Sequence, residues 1–211
     1  EQTLLGLHSG IGAASSSELA PNVKPIYSSS RDWREALSAT ADSALRQLEE
    51  SGKITSSTGE IKLDTKAKLL EVTTPKIETA VFEKNADLGI MKLRNGTVYQ
   101  TVALISLDGN KLEQSKNMLL IHLTDWASEG MTFSDSKRTA LINWGKYPHL
   151  LQRGGAEVEL TVPRKLKVEA LKFDGSPNGE VPITYEKGKL HFLIRSDLRK
   201  EGVIAYHIHN K

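Results

Sequence analysis

An Asp-Gly turn in Ser106-Leu107-Asp108-Gly109 is followed by the apolar run Met118-Leu119-Leu120-Ile121-His122-Leu123 and later by the alternating segment Glu157-Val158-Glu159-Leu160-Thr161-Val162. In the alternating segment, every second residue is valine or leucine. Successive side chains of a strand point to opposite faces, so this pattern predicts a sheet with one buried and one solvated face. The apolar run is largely hydrophobic at both parities, which predicts a central strand buried on both faces.

The same period of two recurs through residues 53–211 in short segments separated by turn dipeptides. The candidate strands are Glu60–Leu63, Leu69–Thr73, Thr79–Phe82, Gly89–Leu93, Val98–Leu107, Met118–Thr124, Glu157–Val162, Leu166–Phe173, Val181–Tyr185, Leu190–Arg195 and Val203–His209. The turn signals are Thr58-Gly59, Asn95-Gly96, Asp108-Gly109, Asp174-Gly175, Asn178-Gly179 and Lys187-Gly188. Many short strands with tight turns predict a mainly β fold, an antiparallel β-sandwich over residues 53–211. The interval Ser134–Leu151 interrupts the rhythm, and we expect it to be mostly loop with a helical turn at 137–141.

Residues 1–52 have a different pattern. The first 30 or so are rich in serine, glycine and proline, which is typical of a loop or linker. Residues 31–51 carry apolar side chains at helical spacing, from Trp33 to Leu48, and Gly52 supplies a stop. We therefore expect residues 1–52 to be a linker, or the tail of a preceding domain, with one N-terminal helix.

Composition excludes several classes of function. The 211 residues carry a net charge of +2 and no cysteine, so disulfides, cysteine nucleophiles and thiolate metal sites are ruled out. Lysine and glutamate are interspersed rather than clustered, which argues against nucleic-acid binding. No apolar run approaches the roughly 18 residues of a membrane span, so we expect no membrane partner. The oligomeric state is not indicated.

Four pieces of sequence carry a resemblance. They are Thr58-Gly59-Glu60-Ile61 through Val72-Thr73-Thr74-Pro75-Lys76; Ser106–Gly109 with Ser115-Lys116-Asn117-Met118-Leu119 and His122–Asp125; Trp144-Gly145, Pro148 and Ala156-Glu157-Val158; and Val168-Glu169-Ala170-Leu171 to Asp174-Gly175, Gly179–Pro182 and Leu190-His191-Phe192. In order and spacing, they resemble the C-terminal β-sandwich of large bacterial glycoside hydrolases of the Planctomycetes and Verrucomicrobia type. The resemblance covers residues 55–211.

That resemblance implies a non-catalytic domain of an extracellular or periplasmic enzyme, docked on a catalytic (β/α)8 barrel. Such a barrel needs about 200 residues or more of its own, so we expect it to be missing from this chain. The implied partner is the catalytic domain of the same parent protein, or a glycan. The alternative is a stand-alone carbohydrate-binding module.

Candidate site residues follow from the chemistry of sugars, whose apolar faces stack on aromatic rings and whose hydroxyls hydrogen-bond to polar groups. Trp126, Trp144, Tyr147 and His149 fall in predicted loops, with Asp125 beside them. We expect them to bind glycan, or else Trp126 and Trp144 to be buried at the end of the sandwich or against the barrel.

No catalytic residue is predicted, because glycoside hydrolysis needs two carboxylates facing each other across a cleft and no spacing pairs them here. Asp125 is the best single candidate, although its position at a strand end also suits a structural hydrogen bond. His207 and His209 lie on one face of the last strand, as two metal ligands could. The sequence indicates no third ligand, so we expect neither a metal nor a cofactor.

Overall fold

The structure is a computed structural model that describes residue 46 and residues 48–210. The chain divides into two compact units, Glu1–Leu70 and Glu71–Lys211. Residues 48–51 are helical, and the helix ends at Gly52, whose φ of 74° is readily adopted by glycine. The rest of the predicted helix and the predicted linker lie outside the described residues. The division into residues 1–52 and 53–211 stays a prediction.

The described chain is built of short strands, which confirms the mainly β class. They are β1 Lys53–Thr55, β2 Ile61–Asp64, β3 Leu69–Thr73, β4 Ile77–Phe82, β5 Ala86–Asp87, β6 Met91–Arg94, β7 Gln100–Ser106, β8 Asn117–Leu123, β9 Trp126–Glu129, β10 Thr132–Phe133, β11 Leu141–Asn143, β12 Lys146–Leu151, β13 Gly155–Thr161, β14 Lys167–Leu171, β15 Pro177–Glu180, β16 Ile183–Glu186, β17 Lys189–Arg195 and β18 Ala205–His209.

In the first unit, β1 pairs with β2 in antiparallel fashion, and β3 crosses the boundary between the units. The second unit contains two larger antiparallel sheets. In one of them β4, β7, β8, β18, β14 and β15 lie side by side in that order, and the other has the order β16-β17-β13-β6-β5. Two small sheets pair β9 with β12 and β10 with β11. The predicted antiparallel sandwich is confirmed.

The core follows from the alternation in the sequence, because every second residue of the central strands is buried. These residues are Ala80, Phe82, Val102, Leu104, Met118, Leu120, Val158, Leu160, Leu190, Phe192, Ile194, Tyr206 and Ile208. Three buried polar side chains of the first sheet hydrogen-bond to the backbone of the second sheet: Glu78, Gln100 and Tyr206. Apolar burial and these side-chain bonds together join the two layers.

One strand expectation was wrong. In β8, Met118 and Leu120 are fully buried, but Leu119 and Ile121 are only half-buried and Leu123 is 44% exposed. The strand therefore has one core face and one outer face. The outer face also carries apolar residues, but they are less buried than those of the core face. The spacing of apolar residues does not reveal this difference in burial.

The interval 134–151 also differs from the expectation, because it contains β11 and β12 and no helical turn at 137–141. Asn178-Gly179 lies inside β15 rather than in a turn. Asn95-Gly96 connects β6 to β7, which belong to different sheets, so it is not a hairpin turn. Local turn signals mark a change of direction, but the tertiary fold decides which strands the turn joins.

Candidate functional site

The predicted site residues lie on and around the small sheet of β9 and β12. In this sheet Trp126 is opposite Leu151 and Ser128 is opposite His149, with an irregularity between Lys146 and His149. Residues opposite each other share a face, so Trp126 and His149 point to the same side. The expectation that Trp126, Tyr147 and His149 lie in loops was therefore wrong: they belong to strands, and of the four aromatic candidates Trp144 alone lies in a loop.

Three of the predicted rings come together. The ring centroids of Trp126 and His149 are 5.4 Å apart at an interplanar angle of 84°, and those of Tyr147 and His149 are 5.9 Å apart at 75°. Both are edge-to-face arrangements, which aromatic pairs favour. Ser128 Oγ lies 3.2 Å from His149 Nδ1 and helps to hold the central ring. Trp144 takes part in neither ring pair.

These rings are exposed. Trp126 is 52% exposed, Trp144 74% and Tyr147 83%. The alternative in which Trp126 and Trp144 are buried at the end of the sandwich is therefore wrong for the described chain. We call Trp126, Trp144, Tyr147 and His149 the aromatic surface.

Gly145 positions Trp144. Its φ is +71°, and a Cβ there would lie 2.5 Å from the Glu129 carbonyl oxygen and 2.7 Å from the Met131 nitrogen. Only glycine combines this backbone conformation with such a close approach of another chain segment. This close approach of the backbone at Glu129 and Met131 explains why a glycine directly follows the exposed Trp144.

Asp125 directly precedes β9 and is held by an ion pair. Its Oδ2 is 2.6 Å from an Arg138 guanidinium nitrogen, and its Oδ1 accepts a hydrogen bond from the Trp126 nitrogen at 2.9 Å. The hydrogen bond from Arg138 is the main reason that the pKa of Asp125 lies below its usual range. The Arg138 guanidinium also lies 5.2 Å from the centre of the Phe133 ring, a cation–π contact. Sequence reasoning missed Arg138, since a single arginine in a loop has no distinguishing pattern.

The Asp108 carboxylate is fully engaged in local hydrogen bonds. Asp108 accepts hydrogen bonds from the nitrogens of Asn110 and Lys116 and from the hydroxyls of Ser106 and Ser115. These bonds, led by the one from Lys116, hold the pKa of Asp108 well below its usual range, so it stays an anion. Asp108 therefore organises a turn, as its position in an Asp-Gly dipeptide suggests.

The two histidines of the last strand have a third neighbour that the sequence did not indicate. Glu169 on β14 lies opposite His207 on β18, and one ligand atom from each of Glu169, His207 and His209 lies within 4.8 Å of the other two. Sequence reasoning missed Glu169 because only strand pairing brings it there. Burial is the main reason that the pKa of His207 lies below its usual value.

No helix among the described residues is long and apolar enough to cross a membrane. The sequence matches no protein-family model, and no curated protein matches it significantly.

Proposed function

We propose that the chain is a non-catalytic β-sandwich domain of a secreted bacterial glycoside hydrolase and that its aromatic surface binds glycan. The first part rests on the ordered sequence pieces that resemble such sandwiches, together with the antiparallel sandwich itself. An extracellular or periplasmic location belongs to the same proposal. The second part rests on the geometry of the site.

The observation that carries the glycan proposal is the exposure of large aromatic rings on one small sheet and its loop. Trp126, Trp144 and Tyr147 are each more than half exposed, although rings of this size usually contribute buried area to a core or interface. A sugar ring offers an apolar face of matching width. Stacking a pyranose on an indole buries apolar surface without desolvating the sugar hydroxyls that point sideways.

Polar groups beside the rings suit those hydroxyls. The Asp125–Arg138 pair presents carboxylate acceptors and guanidinium donors in a fixed geometry. His149 adds a ring nitrogen at the centre of the aromatic cluster. Aromatic faces flanked by a few placed polar groups are typical of small-molecule sites.

The competing role for the same surface is an interface with the catalytic barrel of the parent protein. Both roles need exposed aromatic side chains, but they differ in what covers them. A glycan site binds free oligosaccharide in the absence of any barrel, whereas a barrel interface does not.

The test is titration calorimetry of the chain against a panel of soluble glycans of differing composition and linkage. We expect micromolar binding to at least one glycan. Trp126→Ala and Trp144→Ala should each weaken that binding about tenfold or more, equivalent to about 1.4 kcal/mol. Tyr99→Ala is the control, because Tyr99 is 55% exposed and lies outside the aromatic surface; it should leave affinity unchanged.

Two outcomes would contradict the proposal. Absence of binding across the panel, with the fold intact by circular dichroism, contradicts the glycan assignment and favours the barrel interface. Hydrolysis of chromogenic glycosides that disappears in Asp125→Asn contradicts the non-catalytic assignment.

A further inference from the structure

We propose that Glu169, His207 and His209 bind a divalent transition-metal ion, with zinc as the best match. We call these three residues the β14/β18 site. It is independent of the aromatic surface and of the glycan proposal, because none of its residues belongs to either.

Strand pairing builds the β14/β18 site. Register places Glu169 directly opposite His207, and His209 follows two residues later on the same face of β18. The other face of β18 carries Tyr206 and Ile208, which are fully buried. The three ligands therefore lie together on the outer face of the sheet, where they are partly exposed and an ion can reach them.

The distances suit a shared ion. Zinc bonds to histidine nitrogen and carboxylate oxygen are about 2.0–2.2 Å long, so ligand atoms around one ion lie roughly 3–4 Å apart. His209 Nε2 and Glu169 Oε2 are 3.0 Å apart, and the three ligand atoms all lie within 4.8 Å of one another. The two imidazoles are stacked, with centroids 4.4 Å apart and planes 21° apart. Because an imidazole binds a metal in the plane of its ring, one of the two stacked rings must rotate for both lone pairs to meet one ion.

Hydrogen bonding at His209 orients one ring nitrogen toward the carboxylate. His209 Nδ1 lies 2.6 Å from the Asn210 carbonyl oxygen, which only accepts, so Nδ1 carries a proton. In the neutral imidazole, Nε2 then has a lone pair, and it faces Glu169 Oε2 at 3.0 Å. A metal ion bound by both His209 Nε2 and Glu169 Oε2 would satisfy both acceptors. A ligating histidine that donates its other nitrogen to a backbone carbonyl is the usual arrangement around zinc.

The second imidazole is also held in place. His207 Nε2 lies 2.6 Å from Asn117 Oδ1 on the neighbouring β8. Lys167 lies opposite His209, and its ammonium is engaged by Glu180 at 2.7 Å. The nearby positive charge is therefore partly balanced by a carboxylate outside the set of ligands.

The ligand types select the metal. Two imidazoles and one carboxylate match the three-ligand zinc pattern, in which water takes the fourth position. Calcium and magnesium prefer all-oxygen sites, so they should bind weakly. Copper and nickel also bind imidazole, so the ligand types select transition metals as a class before they select zinc.

The experiment is calorimetric titration of the chelator-treated full chain with zinc chloride, with cobalt(II) absorption as a probe of tetrahedral coordination. We expect one zinc per chain at micromolar affinity or tighter, a visible tetrahedral cobalt spectrum, and no magnesium binding. Glu169→Gln, His207→Ala and His209→Ala should each weaken zinc binding at least tenfold. His209→Asn provides a second, more conservative replacement if the alanine variant folds poorly by circular dichroism.

The matched control is His191→Ala. His191 lies beside Glu159 on the other sheet, with Nε2 to Oε2 at 3.8 Å, so it is a histidine–carboxylate pair without a second histidine. This variant should leave zinc affinity unchanged. Absence of zinc binding by the unmodified chain overturns the proposal and leaves His209 as a hydrogen-bond partner of Glu169. Undiminished binding in Glu169→Gln/His209→Ala also overturns it.

Discussion

At the scale of single residues, His122 shows how a polar side chain is accommodated in the core. It is fully buried on β8, and its Nε2 lies 2.7 Å from Gln100 Oε1 on β7. Gln100 Nε2 donates to the Gly155 carbonyl at 3.1 Å, so the amide oxygen faces the histidine and His122 Nε2 is the donor. Its Nδ1 has no hydrogen-bond partner among the described residues. Burial lowers the pKa of His122 to about 4, so the ring is neutral at pH 7.

We expect the free energy of unfolding to fall as the pH is lowered from about 6.5 to about 4, since His122 takes up a proton over this range only when the chain unfolds. Its contribution is fully present above the unfolded pKa and is lost as the pH falls through the folded one. One pKa unit corresponds to about 1.4 kcal/mol, so over the roughly 2.5 units between the two pKa values the loss reaches about 3 to 4 kcal/mol. His122→Gln keeps a donor for Gln100 and cannot ionise. Urea unfolding at a series of pH values should show a flatter profile for this variant, and identical slopes would contradict the prediction.

At the scale of elements, one carboxylate holds the start of β6 against β4. Glu78 accepts hydrogen bonds from the nitrogens of Ile90 at 2.8 Å and Met91 at 2.9 Å. Gly89 makes room for this contact, because a Cβ there would lie 2.5 Å from Glu78 Oε1. Burial raises the pKa of Glu78, and the two backbone hydrogen bonds oppose that rise. Both carboxylate oxygens of Glu78 accept a hydrogen bond, so the contact between β4 and β6 depends on an acceptor at each oxygen position.

Glu78→Gln should lower the free energy of unfolding by about 1–3 kcal/mol, because the amide NH2 group replaces one acceptor and leaves a buried N–H without a partner. Chemical denaturation at pH 7 measures the change. Glu186→Gln makes the same exchange at an exposed position of β16 and should change stability by less than about 0.5 kcal/mol. Equal stability of the two variants would show that the hydrogen bonds of Glu78 to Ile90 and Met91 contribute nothing to the free energy of unfolding.

At the scale of the whole molecule, within the second unit, Tyr206 connects the two layers. It is fully buried on β18, and its hydroxyl both accepts from the Arg195 nitrogen and donates to the Arg195 carbonyl, each at 2.9 Å. Arg195 ends β17 in the other sheet. Burial raises the pKa of Tyr206 to about 12, so the hydroxyl keeps its proton and both bonds persist at physiological pH. The Tyr206 side chain thereby provides a partner for both backbone groups of Arg195 in the opposite layer.

Tyr206→Phe should destabilise the chain by about 1–3 kcal/mol, because both Arg195 backbone groups lose a partner while the aromatic volume stays. We expect tryptophan fluorescence and circular dichroism to report coincident unfolding transitions shifted together, as for a cooperative unit. Tyr99→Phe removes a hydroxyl from an exposed ring and serves as the control. A Tyr206→Phe midpoint equal to that of the Tyr99→Phe control would contradict the role of the hydroxyl.

Local pattern was enough to predict the fold class and most strands. Alternation such as Glu157–Val162 places β13 within two residues of its bounds, because a side-chain period of two is a property of the strand itself. The same reasoning predicted Asp125, Trp126, Trp144, Tyr147 and His149 as candidates from residue type. It misjudged their setting, since β12 contains Pro148 and is exposed along most of its length, so it has no core-facing alternation to detect.

Contacts between segments distant in the chain depended on the tertiary structure. His209 meets Glu169 across 40 residues of sequence, and Asp125 meets Arg138 through a turn that no dipeptide signals. Strand order and register decide which side chains share a face, and both are set by the burial of the whole core rather than by any one segment. Residue types and their spacing therefore predicted a sandwich with aromatic candidates, while the pairing of β14 with β18 brought Glu169 beside His207 and His209.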